Sequence, residues 1–600
     1  MKKIIAFAAI LLLLLSALPT GQSAHLRRAT DTESKKLKEV LDGYFEERLR
    51  LFPLEATSVG DHRYDDQLAD DISDEHRARQ KALYTKYLSE ISKIDRKRLG
   101  EDDGLSYNVF KRDLTTRLNG LKFNDHLMPV RQFWSLPLTF AQLGSGKSNH
   151  PFKTVKDYEN FLGRVNGFQA WADTAIANMR KGAAQGFTQP RILMERVLSQ
   201  FQALLVEDVT GSIFYEPVRN MPAEFSAEDR ERLTAAYSKA ISLQVLPSYR
   251  KLYDFIRTEY LPKCRTTSGL SNVPDGREEY EYLIRLYTTT TLTPEEIFQT
   301  GMREVKRIRA ELLKVKQEVG FNGDLKSFFD YLRTDRKFYP FTSDEEVLNA
   351  YRAIEARLQS SLPQFFGLVP RARFEVRATE KFRAASASEE YERPAPDGTR
   401  PGVFYVPIVD ARKYNSIRME SLFLHEAIPG HHYQISIQQE QESLPKFRKY
   451  AIYNAYTEGW ALYTEGLGRE LGLYKDPYQY FGMLTQDMHR AIRLVVDTGM
   501  HSKGWTREQA IAFSMENEGL SEDRITAEIE RYMAIPGQAL SYKAGQLAIL
   551  ALRDRAQRTL GSRFQLRAFH DEILRDGALP LDVLETKINN WISKQQSGKS

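Results

Sequence analysis

The run His425-Glu426-Ala427-Ile428-Pro429-Gly430-His431-His432 closes an apolar stretch and limits this chain more than any other feature. A His followed at once by Glu suits a helix that offers imidazoles to a zinc ion and keeps the carboxylate as general base. In the His-Glu-x-x-His arrangement the two ligands stand at i and i+4 on one helical face. Position i+4 here is Pro429, which cannot bind a metal. On an unbroken helix His432 shares the face of His425 but stands about two turns, roughly 10 Å, away. Zinc–nitrogen bonds of about 2.1 Å do not span that gap. Pro429 removes a helical hydrogen bond and Gly430 permits a backbone excursion. If the pair loops out, His431 falls where the second ligand belongs. The expected ligands are therefore His425 and His431, with His432 as the alternative and Glu426 as base. The competing reading is a kinked core helix whose histidines are simply satisfied.

A catalytic zinc needs three protein ligands and one open position. The third candidate is Glu458, in Tyr453-Asn454-Ala455-Tyr456-Thr457-Glu458-Gly459-Trp460-Ala461-Leu462-Tyr463-Thr464-Glu465. Its Glu-Gly-Trp-Ala resembles the Asn-Glu-Gly-Phe-Ala segment that carries a ligand Glu in zinc aminopeptidases. Glu465, seven residues on, is by default a surface or supporting carboxylate and the reserve ligand.

The segments at 425–432, 458–463 and 536–539 (Pro536-Gly537-Gln538-Ala539) together resemble the bacterial family known as domain of unknown function 885. Pro274-Asp275-Gly276 and Pro401-Gly402-Val403-Phe404-Tyr405-Val406 extend the resemblance over most of the chain. That family is similar to gluzincin zinc metallopeptidases, so the resemblance implies the chemistry more than the specificity.

Six hundred residues exceed one ordinary core, and more than one lobe is expected. Hydrophobic residues make up 42% and charged residues 28%, as in a soluble globular enzyme. The net charge of +5 is small and its carriers are interspersed, without the dense basic stripe that nucleic acid requires. Lys2-Lys3, an apolar run from Ile4 to Leu15, Pro19 and Ser23-Ala24 read as a secretory signal over 1–24, cleaved after Ala24. The apolar run is short for a membrane span, and no later stretch is apolar enough for one. The mature protein is thus expected to be periplasmic or extracellular. No Cys stands near the cleavage point for a lipid anchor. The single cysteine, Cys264, excludes an intramolecular disulfide.

The fold class expected is mostly α: a two-lobed helical zincin-like fold with a groove. An N-terminal helical lobe spans 25–270 and a catalytic domain 271–600. Leu105, Val109, Leu114, Leu118 and Leu121 keep a helical period, as do Val155, Tyr158, Leu162, Val165 and Phe168. Thr293-Pro294-Glu295-Glu296 reads as a capped helix start, followed by Ile297, Val305, Ile308, Leu312 and Val315 on one face. Between 373 and 408 the period shortens. Phe374–Arg377 and Val403–Val406 predict a small antiparallel β element ahead of the zinc helix, with a turn over Pro394–Gly398. By resemblance to zincins, Gly402–Val406 is the candidate edge strand for an extended substrate.

A peptidase also needs a donor for the developing oxyanion. His501, in Asp497-Thr498-Gly499-Met500-His501, and Tyr542 are the two candidates; His489 and Arg490 are possible substrate contacts. Five of the eleven histidines fall between 425 and 501, which favours a functional cluster there. The leading expectation is a secreted zinc metallopeptidase cleaving short peptides. The alternatives are a zinc amidase or esterase acting on a small molecule or on cell-wall material, and a non-enzymatic helical binding protein. An intact Glu426 disfavours the last, since a structural metal site needs no base.

Overall fold

Helix caps stand where the sequence places them. In a computed structural model describing residues 20–384, 387–395, 398 and 400–598, the Thr293 hydroxyl accepts from the Glu296 N–H at 3.2 Å. The Glu296 carboxylate accepts from the Thr293 N–H at 2.8 Å. Such reciprocal capping is worth about 1 kcal/mol. The helix it starts, Pro294–Glu318, buries Ile297, Val305, Ile308, Leu312 and Val315, and Gly320 with φ +70° ends its exit turn.

The chain is mostly helical. The elements that matter for the site are α1 (Thr20–Leu51), α2 (Val155–Ala184), α3 (Pro294–Glu318), β1 (Phe374–Ala378), β2 (Glu390–Glu392) and β3 (Gly402–Val406). They are followed by α4 (Met419–Glu426), α5 (His431–Glu440), α6 (Asn454–Gly466), α7 (Pro477–Lys503) and α8 (Ser541–Leu560). Residues 1–19, most of the expected signal segment, lie outside the described residues, as do Pro396 and Asp397 of the expected turn. Among the described residues no helix is long and apolar enough to cross a membrane.

The apolar side chains separate into clusters. One lies within residues 130–264, around Phe140, Trp171 and Tyr249. Cys264 closes it, 8% exposed, with burial pushing its thiol up to about 12. The largest draws mainly on residues 305–592, joined by Leu105, Val109 and Leu193. A smaller cluster bridges them, where Leu127 and Phe187 meet Leu270, Ile284, Leu494 and Leu540. Within the large cluster α3 packs along α7, and α6 along α8.

The β element differs from expectation. Its order is β1-β3-β2, with β1 parallel and β2 antiparallel to β3, so the sheet is mixed. Gly402–Val406 is the central strand and both its edges are paired, so it cannot add a substrate strand. The period-2 pattern marks strands correctly but holds no information about which neighbours they take.

Candidate metal centre

All eight residues of α4 are buried, which is why its sequence shows an apolar run and not an amphipathic stripe. The helix ends at Glu426. Ala427 leaves helical geometry at φ −106°, ψ −107°, and α5 begins afresh at His431. The expected loop within one helix is thus a break between two. A Cβ on Gly430 would collide with the carbonyl oxygens of Leu424 and His425, so only glycine lets the chain fold back so closely. The freed Pro429 carbonyl is not orphaned: Trp460 Nε1–H donates to it at 2.9 Å. This bond ties α6 to the break.

One face of α6 then completes the site. Thr464 donates to the Leu424 carbonyl at 2.9 Å, and Glu465 accepts from Nδ1 of His425 at 2.8 Å. Glu458 Oε2 stands 3.5 Å from His425 Nε2 and 3.7 Å from His431 Nε2. Two donors on a tetrahedral zinc with bonds of about 2.1 Å are separated by about 3.4 Å. One ligand atom from each of His425, His431 and Glu458 falls within 4.8 Å of the others. The donor set, two imidazoles and a carboxylate, suits zinc. Its charge demands agree. His425 resists charging through burial. Hydrogen bonding to Glu458 and Glu465 and the charge of Glu426 nevertheless push it up to about 10. Glu458, against its own burial, is held at about 2, chiefly by the His425 hydrogen bond and the two imidazoles. Burial drives His431 down to about 4. The cluster thus asks for positive charge at its centre, and with protein groups alone a proton on His425 supplies it.

These residues line a cavity of about 610 Å³ shared with Glu389, Tyr391, Glu426, Arg490, Arg493 and Tyr542. The Glu426 carboxylate lies 3.9 Å from His425 Nε2 and makes no hydrogen bond to the described residues. Burial, then the charges of Glu458 and Glu389, raises it to about 8. Tyr542 presents a hydroxyl without a partner among the described residues, and the Arg493 guanidinium covers its ring at 4.5 Å. Burial and the Glu458 charge raise its pKa. Its helix is aimed by the preceding turn. Gly537, at φ +81°, donates to Asp497 at 3.1 Å, and Asp497 also accepts from Tyr280 at 2.5 Å. Close approach of α6 and α8 does the rest. A Cβ on Gly545 would overlap the Ala455 carbonyl oxygen, and Gly459 abuts the Gly545 backbone.

Other sequence candidates lie elsewhere. His501 is fully buried with both ring nitrogens engaged by backbone. Its Nδ1 accepts from the Leu270 N–H at 2.9 Å and its Nε2 donates to the Tyr532 carbonyl at 3.1 Å. It cannot reach an oxyanion, because the helix turns it away from the cavity toward Leu270 and Tyr532. His432 faces the sheet, with Nδ1 2.9 Å from the Tyr391 hydroxyl. His489 lines the cavity but is taken by Glu518 at 2.6 Å and Glu528 at 3.3 Å. Tyr391 and Trp460 escaped the sequence reading. Trp460 stood inside a quoted motif but reads as ordinary core. Tyr391 shows no pattern at all, although Gly402 is the trace it leaves: a Cβ there would strike both the Tyr391 hydroxyl and His432 Nδ1.

No curated protein matches the chain by sequence. Among solved structures, a candidate lipoprotein from Colwellia psychrerythraea aligns with 27% identity and a TM-score of 0.84, over 94% of this chain and 99% of that one. A candidate lipoprotein of unknown function from Shewanella oneidensis aligns with 20% identity and a TM-score of 0.73, over 92% and 99%, a likeness of fold alone. Metallocarboxypeptidase 1 of Trypanosoma cruzi aligns over 95% and 96% at 11% identity with a TM-score of 0.36, too low to bear on function. The family described as bacterial protein of unknown function, DUF885, matches residues 53–588, and the chain belongs to it.

Proposed function

We propose that this chain is an exported zinc-dependent peptidase that hydrolyses short peptides. The observation that carries the reading is the opening of the His425–His431–Glu458 cluster onto a cavity of about 610 Å³ with an unengaged carboxylate, Glu426, beside it. A structural metal site needs neither a cavity nor a base. Zinc held by the three residues would act as a Lewis acid on a scissile carbonyl.

The chain's own groups supply the rest. Glu426, ionised once positive charge occupies the cluster, takes a proton from the attacking water and passes it to the leaving amine. The Tyr542 hydroxyl donates to the oxyanion as it develops. The edge strand β2, whose Tyr391 lines the cavity, would pair with an extended peptide. A buried site of this size suits short peptides better than folded proteins.

Export rests on Lys2-Lys3 and the apolar run that follows. Blocked and free peptides, incubated with and without chelator, test the activity. Cleavage abolished by chelator and restored by zinc is the expected result. Turnover of esters or amides alone would redirect the reading to an amidase, and no turnover would end it.

A further inference from the structure

The cavity also gathers five arginines, Arg418, Arg490, Arg493, Arg524 and Arg531, against the glutamates Glu389, Glu426, Glu458 and Glu528. Three arginines are matched in charge, although Arg493 Nη1 is buried without a hydrogen-bond partner among the described residues. Arg493 and Arg531 meet Glu528 at 2.9 and 3.1 Å, and Arg418 reaches Gln486 at 3.3 Å and Glu389 at 3.9 Å. Arg490 and Arg524 have no carboxylate within 4.0 Å among the described residues. Arg524 is exposed at the rim. Arg490 is half-buried; its one hydrogen bond goes to the Gln486 carbonyl a turn earlier, at 3.3 Å, and its buried Nε–H has no partner among the described residues.

A guanidinium left with unused donors inside a cavity calls for an anionic guest, and its flat fork fits a carboxylate. Arg490 also stands beside the reacting groups. Gln486, His489, Arg490 and Arg493 share one face of α7 by their 3.6-residue spacing, and all four line the cavity. The charge of Arg490 is felt at Glu426, Glu458 and Tyr542. The acidic side offers no counterpart for an N-terminal ammonium. Glu389 and Glu528 are matched to arginines, and Glu426 and Glu458 belong to the metal centre.

We propose that Arg490, with Arg524 adding charge at the rim, holds the C-terminal carboxylate of the substrate, making this a carboxypeptidase-type enzyme. The inference rests on the peptidase reading above. In the reaction one water adds its oxygen to the carbonyl carbon, the C–N bond breaks, and the leaving amine takes the proton. The products are a shortened peptide and the residue freed from its C-terminal end.

The test compares one N-acetylated peptide as its free acid and as its C-terminal amide, with the zinc-loaded enzyme. Wild type is expected to favour the acid, and Arg490→Gln to lose about 10- to 100-fold in kcat/KM on the acid alone, mainly through KM. Arg490→Lys, which keeps the charge, should recover part of the loss. Calorimetric binding of both peptides in the inactive Glu426→Gln background should show the same preference and the same loss with Arg490→Gln. Equal chelator-sensitive cleavage of acid and amide by wild type would overturn this inference and leave the peptidase reading standing. An acid preference that Arg490→Gln leaves unchanged would overturn the assignment to Arg490. Cleavage of neither peptide would overturn the peptidase reading itself, and this inference with it.

Discussion

The Glu465 carboxylate accepts the Nδ1–H of His425 at 2.8 Å, and both side chains are buried. That bond keeps the proton on Nδ1, so that Nε2, which faces Glu458 and His431, is the nitrogen that would give up its proton to a metal. Carboxylates placed behind a ligand imidazole hold its ring and raise its basicity. Glu465→Ala should therefore weaken zinc binding by roughly 10- to 100-fold while the protein stays folded. Competition against a chelator of known affinity reads this directly; unchanged affinity would show that the ring is held by packing alone.

Glu426 and Tyr542 separate by kinetics. Glu426→Gln keeps shape but cannot accept a proton, so zinc content should be normal and kcat should fall by roughly 10²- to 10⁴-fold. Tyr542→Phe removes one donor to the transition state and should lower kcat by roughly 10²- to 10³-fold with KM little changed. A Tyr542→Phe enzyme within a few-fold of wild type would remove Tyr542 from the chemistry.

His501 should matter to stability and not to turnover. Burial drives it down to about 3, against about 6.5 in an unfolded chain. Below pH 6.5 the unfolded state takes a proton that the folded state refuses, so stability is lost as pH falls from there toward 3. At pH 5 this one group costs about 2 kcal/mol relative to pH 7.5. The fall in thermal midpoint between those pH values should be smaller in His501→Gln than in wild type. Equal falls in the two would count against it.

The backbone contact between α6 and α8 predicts a linked loss. Gly545→Ala places a methyl where the Ala455 carbonyl oxygen stands. The helices must separate, at about 1–3 kcal/mol for overpacking, and Glu458 must move with α6. Zinc retained per chain after dialysis should drop along with the thermal midpoint. A drop in midpoint with full zinc would mean that the two helices shift together.

What the sequence disclosed follows from the range of the interactions involved. His425, Glu426 and the proline–glycine interruption are local, and local spacing sufficed to nominate His431, which the structure brings beside His425 and Glu458. Capped starts such as Thr293-Pro294-Glu295-Glu296 were legible for the same reason. The order of the strands was not, because pairing of β1 with β3 is decided between segments about 25 residues apart. His501 misled because a His in a short segment says nothing about which helix face meets the cavity. Arg493 and Glu528 stand 35 residues apart in the chain, and no local spacing links them. Only the fold shows that they neutralise one another, whereas Arg490, one turn away, meets no carboxylate among the described residues.

Cys264 gives the molecule a built-in reporter. A thiol reacts as thiolate, and this one is covered and held far above neutral pH. A thiol reagent can modify it only when the apolar cluster of residues 130–264 opens, so the rate of labelling counts openings of that unit. Because the chain has no second cysteine, every labelled molecule marks one place and one event. Labelling timed with and without a bound peptide would then show whether filling the cavity quiets a region that contributes no side chain to it.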